Sequence, residues 1–300
     1  CAFGPMRGSG NNDLLKLSGL DSFLIRSCSF VDGAAGGSGI DMVGCHVGTI
    51  SGNTFRAMGS NAIQAKGGTQ FIRIAKNRFE DCGNRAVNLG GSTGLAFFRP
   101  QDAKFEAADL IVCSNLFLGA EAPVAFVGSV RVQVVNNTIW LPGKWVFRIL
   151  QETVDPDRFV EVGDNLFANN LVVVDQQLSR AVNIGPGTRS ETFLIANNLW
   201  WKINDASWIP DLPSIELLGV YGVDPDVSTE SDFEILSTSA AHGMGRMVPG
   251  ACLEDFVGQL FADPPSIGAR AFRPTMSAPQ SRQPMIDLEL TSTLKSAREE

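Results

Sequence analysis

Six asparagines, each closing a short apolar run and each followed at once by an apolar-rich pair, constrain this chain more than any other feature. They stand in Asn53-Thr54-Phe55, Asn77-Arg78-Phe79, Asn115-Leu116-Phe117, Asn137-Thr138-Ile139, Asn170-Leu171-Val172 and Asn198-Leu199-Trp200, and Cys28-Ser29-Phe30 leads the series. Successive intervals are 25, 24, 38, 22, 33 and 28 residues, the length of one solenoid turn with occasional insertions. A second column keeps step with the first. Ala62-Ile63-Gln64-Ala65-Lys66-Gly67 precedes Ala86-Val87-Asn88-Leu89-Gly90-Gly91 by 24 residues, and Val124-Ala125-Phe126-Val127-Gly128 follows after 37. Both columns absorb the same insertion between residues 91 and 108, so they belong to one repeating unit.

Each unit reads as three short strands. Between Phe71 and Gly91, the run Phe71-Ile72-Arg73-Ile74-Ala75 alternates, Asn77 turns the chain, Phe79 opens a second strand and Val87-Asn88-Leu89 forms a third. Asparagine suits such a turn because it tolerates left-handed backbone angles and its amide bonds locally. Coils stacked about 4.8 Å apart would also let these amides bond one another as a ladder. Inward Ile, Val, Leu and Phe then form one continuous core. Stacked parallel strands connect with a right-handed sense.

On these motifs the chain resembles right-handed parallel β-helix proteins of the pectate-lyase-like superfamily, from about Leu14 to Trp201. The expected fold class is all-β: a right-handed parallel β-helix of three-strand coils with a C-terminal closing segment. Residues 1–13 read as a flexible start or a truncated coil, 14–232 as the β-helix, 233–272 as a capping segment and 273–300 as a mobile tail rich in Pro, Ser and Gln. The capping segment, with Asp255-Phe256-Val257-Gly258 and Pro265-Ser266-Ile267-Gly268-Ala269, resembles the one that closes the solenoid end in secreted bacterial β-helix proteins. Arg270-Ala271 stands where those proteins carry aromatic and acidic residues.

Composition removes several classes. A formal net charge of −8 lacks the basic field of a nucleic-acid binder. No apolar run is long enough for a transmembrane helix. The six cysteines (Cys1, Cys28, Cys45, Cys82, Cys113, Cys252) form no CxxC pair, which argues against structural zinc; they read as small core residues, with a disulfide left open. The chain opens on Cys1 without an initiator methionine, and a truncated start is a plainer reading than a lipidated one.

The resemblance implies a carbohydrate-active protein, secreted or in the cell envelope, with its substrate groove along one exposed strand face. Aligning the coils puts Asp41, Gln64, Asn88, Ala125, Arg148 and Asn183 in one outward stripe, with Lys66 two places beyond Gln64. Two insertions, Ser92 to Ala108 and Gln151 to Glu161, are expected to flank it. A polysaccharide lyase needs a base for the C5 proton and cations to neutralise the uronate. Lys66, Arg148 and Arg99 are the candidates for these roles, and Gln64, Asn88, Asn183 and Trp145 for holding the sugar. Glu152, Glu106 and Asp41 are candidate oxygen ligands for Ca²⁺. The matching is by residue type, because no lyase motif aligns position by position. A non-catalytic glycan-binding or surface structural module is the alternative. A glycoside hydrolase or epimerase comes third: Asp41 is alone in its stripe, and the Asn-Thr-Asp and Gly-Asp-Asp type motifs of polygalacturonase-like enzymes are absent. His46 and His242 read as structural, and Trp200, Trp201 and Trp208 as cover for the end of the core.

Overall fold

A computed structural model describes residues 1–6 and 8–273. The proposed mobile tail, apart from Arg273, lies outside the described residues. Three parallel sheets run the length of a solenoid. In the coil that contains the first ladder-to-ladder interval beyond Asn53, Thr69–Ala75 belongs to the third sheet, Arg78–Glu80 to the first and Arg85–Gly90 to the second. This is the three-strand unit expected from Phe71 to Gly91. Residues ahead of Leu14 contribute too: Ala2–Phe3 pairs with Ser29–Val31 at the edge of the first sheet.

The repeat phenylalanines stack in register along the core. Phe3, Phe30, Phe55, Phe79 and Phe117 form a file with ring centroids 4.6 to 5.1 Å apart, and Ile139, Val172 and Trp200 continue it. Strand spacing sets this distance, so identical side chains at one register position meet face to face.

Beside the file, the asparagine amides form the ladder. Asn53 Nδ2 donates to Asn77 Oδ1, Asn77 to Asn115, Asn115 to Asn137, Asn137 to Asn170 and Asn170 to Asn198, at 3.0 to 3.1 Å. Each amide also donates to a main-chain carbonyl of the preceding coil, and each Oδ1 accepts a main-chain N–H there. All buried demand at the corner is thus met from coil to coil.

The left-handed turn residue is not the ladder asparagine but the one before it. Ser27, Lys76, Ser114, Asn136, Asn169 and Asn197 have positive φ, and Gly52 fills the same place before Asn53. The ladder position therefore selects asparagine for its inward amide, which must donate and accept at once. In the doublets Asn136-Asn137, Asn169-Asn170 and Asn197-Asn198, the first member takes the left-handed turn and the second the ladder.

The ladder ends on a carboxylate. Glu216 Oε1 accepts from Asn198 N and Nδ2 at 2.9 and 2.8 Å, and its Oε2 accepts from Trp200 Nε1 at 2.8 Å and Tyr221 Oη at 2.6 Å. Beyond the last full coil, Trp208, Leu212 and Tyr221 pack on the core.

Residues 233–272 do not sit on the end of the solenoid as a cap. They run back along its flank as a strap. Ile235, Ala241 and Ile267 bury Leu171, Val173 and Leu199 on the outer face of the first sheet, and Phe233 and Ala269 bury Leu116. The first asparagines of the doublets hold the strap: Asn136 donates to Ser266 O, Asn169 to Arg246 O and Asn197 to Met244 O. Arg270 stands buried against Asp255 and donates to Ser231 and Asp232 carbonyls. A Cys113–Cys252 disulfide, spanning 139 residues, joins the strap to the third sheet. The open question about a disulfide is answered there. Cys45 and Cys82 are buried thiols, and burial pushes Cys82 up to about 12.

Candidate functional site

The second sheet leaves its outer face uncovered by the strap. Its strands Leu15–Ser18, Ser38–Val43, Asn61–Lys66, Arg85–Gly90, Ala122–Val127, Phe147–Leu150 and Val182–Ile184 lie in parallel register. That register places Lys16, Asp41, Gln64, Asn88, Ala125, Arg148 and Asn183 on one line across the strands. The register of the expected stripe is present and gains Lys16 at its start, but Asp41, Asn88 and Ala125 within it are buried rather than exposed.

A polar cleft of about 530 Å³ opens on this face, and Gln64, Lys66, Asn88, Arg148 and Glu152 all line it. It also takes in Arg85 and Glu121, which the sequence reading passed over. Both stand where strands of the second sheet begin. Arg85 is in register with Asn61, and Ala122, next to Glu121, is in register with Arg85. Following that strand-start column would have exposed them.

Arg85 organises the floor. Its Nη1 donates to Asn88 Oδ1 and its Nη2 to Glu152 Oε1, both at 2.9 Å. Asn88 is buried beneath it and donates to Gly90 O. Arg148 donates through Nε to Asn183 Oδ1 at 2.9 Å and lies 4.5 Å from the Trp145 ring centre. Burial, and then the charge of Arg85, hold the Arg148 guanidinium below the ordinary arginine value. Trp145 also carries the Lys144 ammonium at 4.3 Å, so its ring braces two cations and does not offer itself as a bare sugar platform.

At the other end, Asp41 lies buried under two lysines. Lys16 pairs with its Oδ2, and Lys66 Nζ stands 3.5 Å from its Oδ1, an atom with no hydrogen-bond partner. Lys66 also reaches Gln64 Oε1 at 3.4 Å. Burial pushes the adjacent Asp13 carboxyl up, an effect that Asp41 reinforces and the Ser38 N–H opposes.

Asp41, Asn183 and Trp145 stand beside the cleft without lining it, and two further site assignments fall elsewhere. Arg99 does not line the cleft; it pairs with Asp21 and donates to Gly44 O at a corner beside His46. The bond from Arg99 holds Asp21 below its ordinary value. Glu106 is buried and accepts from Gly67 N, Thr93 N, Thr93 Oγ1 and Thr153 Oγ1. Its lone pairs are spent on fastening loops. With Asp41 beneath lysines, Glu152 on Arg85 and Glu106 satisfied, the three carboxylates do not converge, and they do not fit a calcium site. Among the described residues no group of three or more His, Cys, Asp or Glu is arranged to hold a metal.

The two insertions do not flank the cleft from opposite sides. Each follows a strand of the second sheet, so both leave from the same edge and pack on each other. Phe98 packs on Phe159 at a tilt with Arg158 against both rings, Arg158 donates to Gln101 O, and Val160 N donates to Lys104 O. Glu106 bonds both loops through Thr93 and Thr153. Of the two insertions only Glu152 lines the cleft, opposite the strand starts at Asn61, Asn84, Arg85 and Glu121.

The family model described as a right handed beta helix region matches residues 7–144. No curated protein matches the chain. Among the described residues no helix is long and apolar enough to cross a membrane.

Proposed function

We propose that this right-handed parallel β-helix protein holds an acidic polysaccharide along the outer face of its second sheet. The observation that carries the reading is the convergence of Lys66, Arg85 and Arg148 in one polar cleft about 530 Å³ in volume. Sugar hydroxyls find donors and acceptors in Gln64, Asn61 and Asn84 along the same walls. Planar guanidinium groups match carboxylates in two-point geometry, and a chain of uronates presents such groups repeatedly.

The chemistry proposed for this cleft is β-elimination. Arg85 and Lys66 neutralise the uronate carboxylate and so acidify the C5 proton. Arg148, a cation braced on Trp145 in the same cleft, adds to that field, and the C5 proton leaves to hydroxide or water in the open cleft. The bond from C4 to the glycosidic oxygen breaks as the C4–C5 double bond forms, and solvent in the open cleft protonates the leaving oxygen. A second reading, binding without cleavage, draws on the pairing of both cleft glutamates: Glu152 with Arg85 and Glu121 with Lys144 at 3.8 Å. Neither is a free acid for assisting a leaving group.

Incubation with alginate, pectate and glycosaminoglycans, with and without Ca²⁺, separates the readings. Elimination appears as rising ultraviolet absorbance from unsaturated uronates and slows in Arg148→Ala. Binding without absorbance assigns the non-catalytic role. Absence of both across the panel sinks the acidic-glycan reading.

A further inference from the structure

Next to the cleft, and sharing Lys66 with it, lies a second depression of about 350 Å³ lined by Lys16, Ser18, Val43, Thr93 and Phe97. We infer that it is an additional subsite for an anionic sugar residue, with Phe97 as the platform for the ring and Lys16 and Lys66 as the partners of its charge. This deepens the acidic-glycan reading and rests on it.

The ring of Phe97 projects from the loop into the depression. It is 72% exposed, whereas its neighbour Phe98 is buried against Phe159. A single exposed apolar residue is ordinary, but this ring stands in one depression with two lysines, which is the combination a charged sugar can use. The loop is also rigidly tied. Glu106 fastens Thr93 to Gly67, Arg99 N bonds Gly67 O, and Gln101 Nε2 donates to Leu95 O. Little ordering is left to be done when a ligand arrives. Gly94 lies directly under the ring: a Cβ there would stand 3.3 Å from Phe97 Cδ2.

The rest of the depression specifies the occupant. The C–H face of a pyranose stacks on an aromatic ring, and the hydroxyls of Ser18 and Thr93 suit its polar edge. Lys16 is half exposed, while the carboxylate of Asp41 that steadies both lysines is only 1% exposed. The wall therefore presents ammonium groups with their counter-charge beneath. The unpartnered Asp41 Oδ1, facing Lys66, marks a polar group held for a cation that serves both depressions. A carboxylate or sulfate on the sugar satisfies this arrangement, and a neutral sugar leaves it unused.

Calorimetric titration with a ladder of oligogalacturonates and oligomannuronates, from dimers to octamers, tests the subsite. Affinity of the unaltered protein should rise with length until cleft and depression are both spanned. Phe97→Ala should bind the longest oligomers roughly five- to tenfold more weakly while leaving the dimers unchanged, and Phe97→Trp should restore the difference. Since the ring is exposed, thermal stability should stay the same in both variants. If Phe97→Ala binds long oligomers as tightly as the unaltered protein, or weakens every length equally, the subsite is refuted while the cleft reading stands. If no oligomer of either kind binds the unaltered protein, the cleft reading and the subsite fall together.

Discussion

Replacing Asn115 by alanine tests the ladder where it is deepest. The side chain is fully buried and makes four bonds: Nδ2 to Ile74 O at 2.9 Å and to Asn137 Oδ1 at 3.0 Å, and Oδ1 from Asn77 N at 2.9 Å and Asn77 Nδ2 at 3.1 Å. After substitution Asn77 Nδ2 keeps Ile50 O, and Asn137 Oδ1 keeps Asn115 N, but the Asn77 N–H loses its acceptor in a dry corner. Three bonds at about 1 kcal/mol each, plus about 1–3 kcal/mol for the orphaned N–H, give a loss of about 4–6 kcal/mol. Asn53 has only one bond into its Oδ1, from Cys28 N, and that neighbour is half-buried near the first coil, where water can replace it. Asn53→Ala should therefore cost about 2–3 kcal/mol. Asn115→Asp keeps the acceptor but turns the donor into an anion facing Ile74 O and Asn137 Oδ1, so it should be no better than alanine. Urea unfolding followed by far-ultraviolet circular dichroism and tryptophan fluorescence reads all three, with the slope checked for constancy. Equal losses for Asn115→Ala and Asn53→Ala, or a loss below about 2 kcal/mol at Asn115, would refute cooperative satisfaction along the ladder.

Tyr221 is the single tyrosine and reports on the last rung. Burial, then its bond to Glu216, raises its folded-state value well above the ordinary 10.0. Its contribution to stability is whole below the unfolded value and is lost as pH rises through the folded one. Phenolate absorbance should thus stay silent past pH 11 while the fold persists, and Glu216→Gln should bring ionisation to lower pH. Reduction of Cys113–Cys252 releases a closure of 139 residues, for which chain entropy sets an upper scale of about 5 kcal/mol. Limited proteolysis should then cut within residues 233–273 and leave the coils intact; unchanged cleavage would show that side-chain packing alone holds the strap. Glu106→Ala strands four donors and should loosen both insertions, with a loss of about 3–5 kcal/mol in urea and weaker glycan binding.

Much of this architecture is legible in one column of the sequence. The period of the asparagines locates the central coils, and the stripe from Asp41 to Asn183 follows from it because register is transmitted strand by strand, whereas the terminal strands Ala2–Phe3 and Val220–Tyr221 carry no ladder asparagine. Residues outside the period are harder to place. Arg99 and Glu106 lie on an insertion, where no repeat fixes direction, and Arg99 turned to Asp21 while Glu106 turned inward to loop N–H groups. Glu216 escaped notice because it continues the ladder chemically while breaking it in residue type. The Asn-Asn doublets carried a readable sign of the strap: only one of two adjacent amides can point inward, so the other needs a partner outside.

The placement of the strap follows from what the outer faces of the first and second sheets carry. Outward positions on the first sheet include Leu116, Leu171, Val173 and Leu199, which would form an apolar strip if bare. The strap covers that strip, and its own buried polar groups find partners in Asn136, Asn169 and Thr138. On the second sheet the corresponding line includes Lys16, Gln64 and Arg148, whose polar ends reach solvent and would lose water under a covering segment, while Asp41 and Asn88 are already buried beneath neighbouring side chains. A strap laid there would need a partner for every one of them. The strap is thus directed to the first sheet by what each outer face can bury, and Lys16, Gln64 and Arg148 on the second sheet stay uncovered. The proposed acidic glycan would meet those groups without the desolvation that a folded peptide segment would impose, because its own hydroxyls and carboxylates replace the lost water.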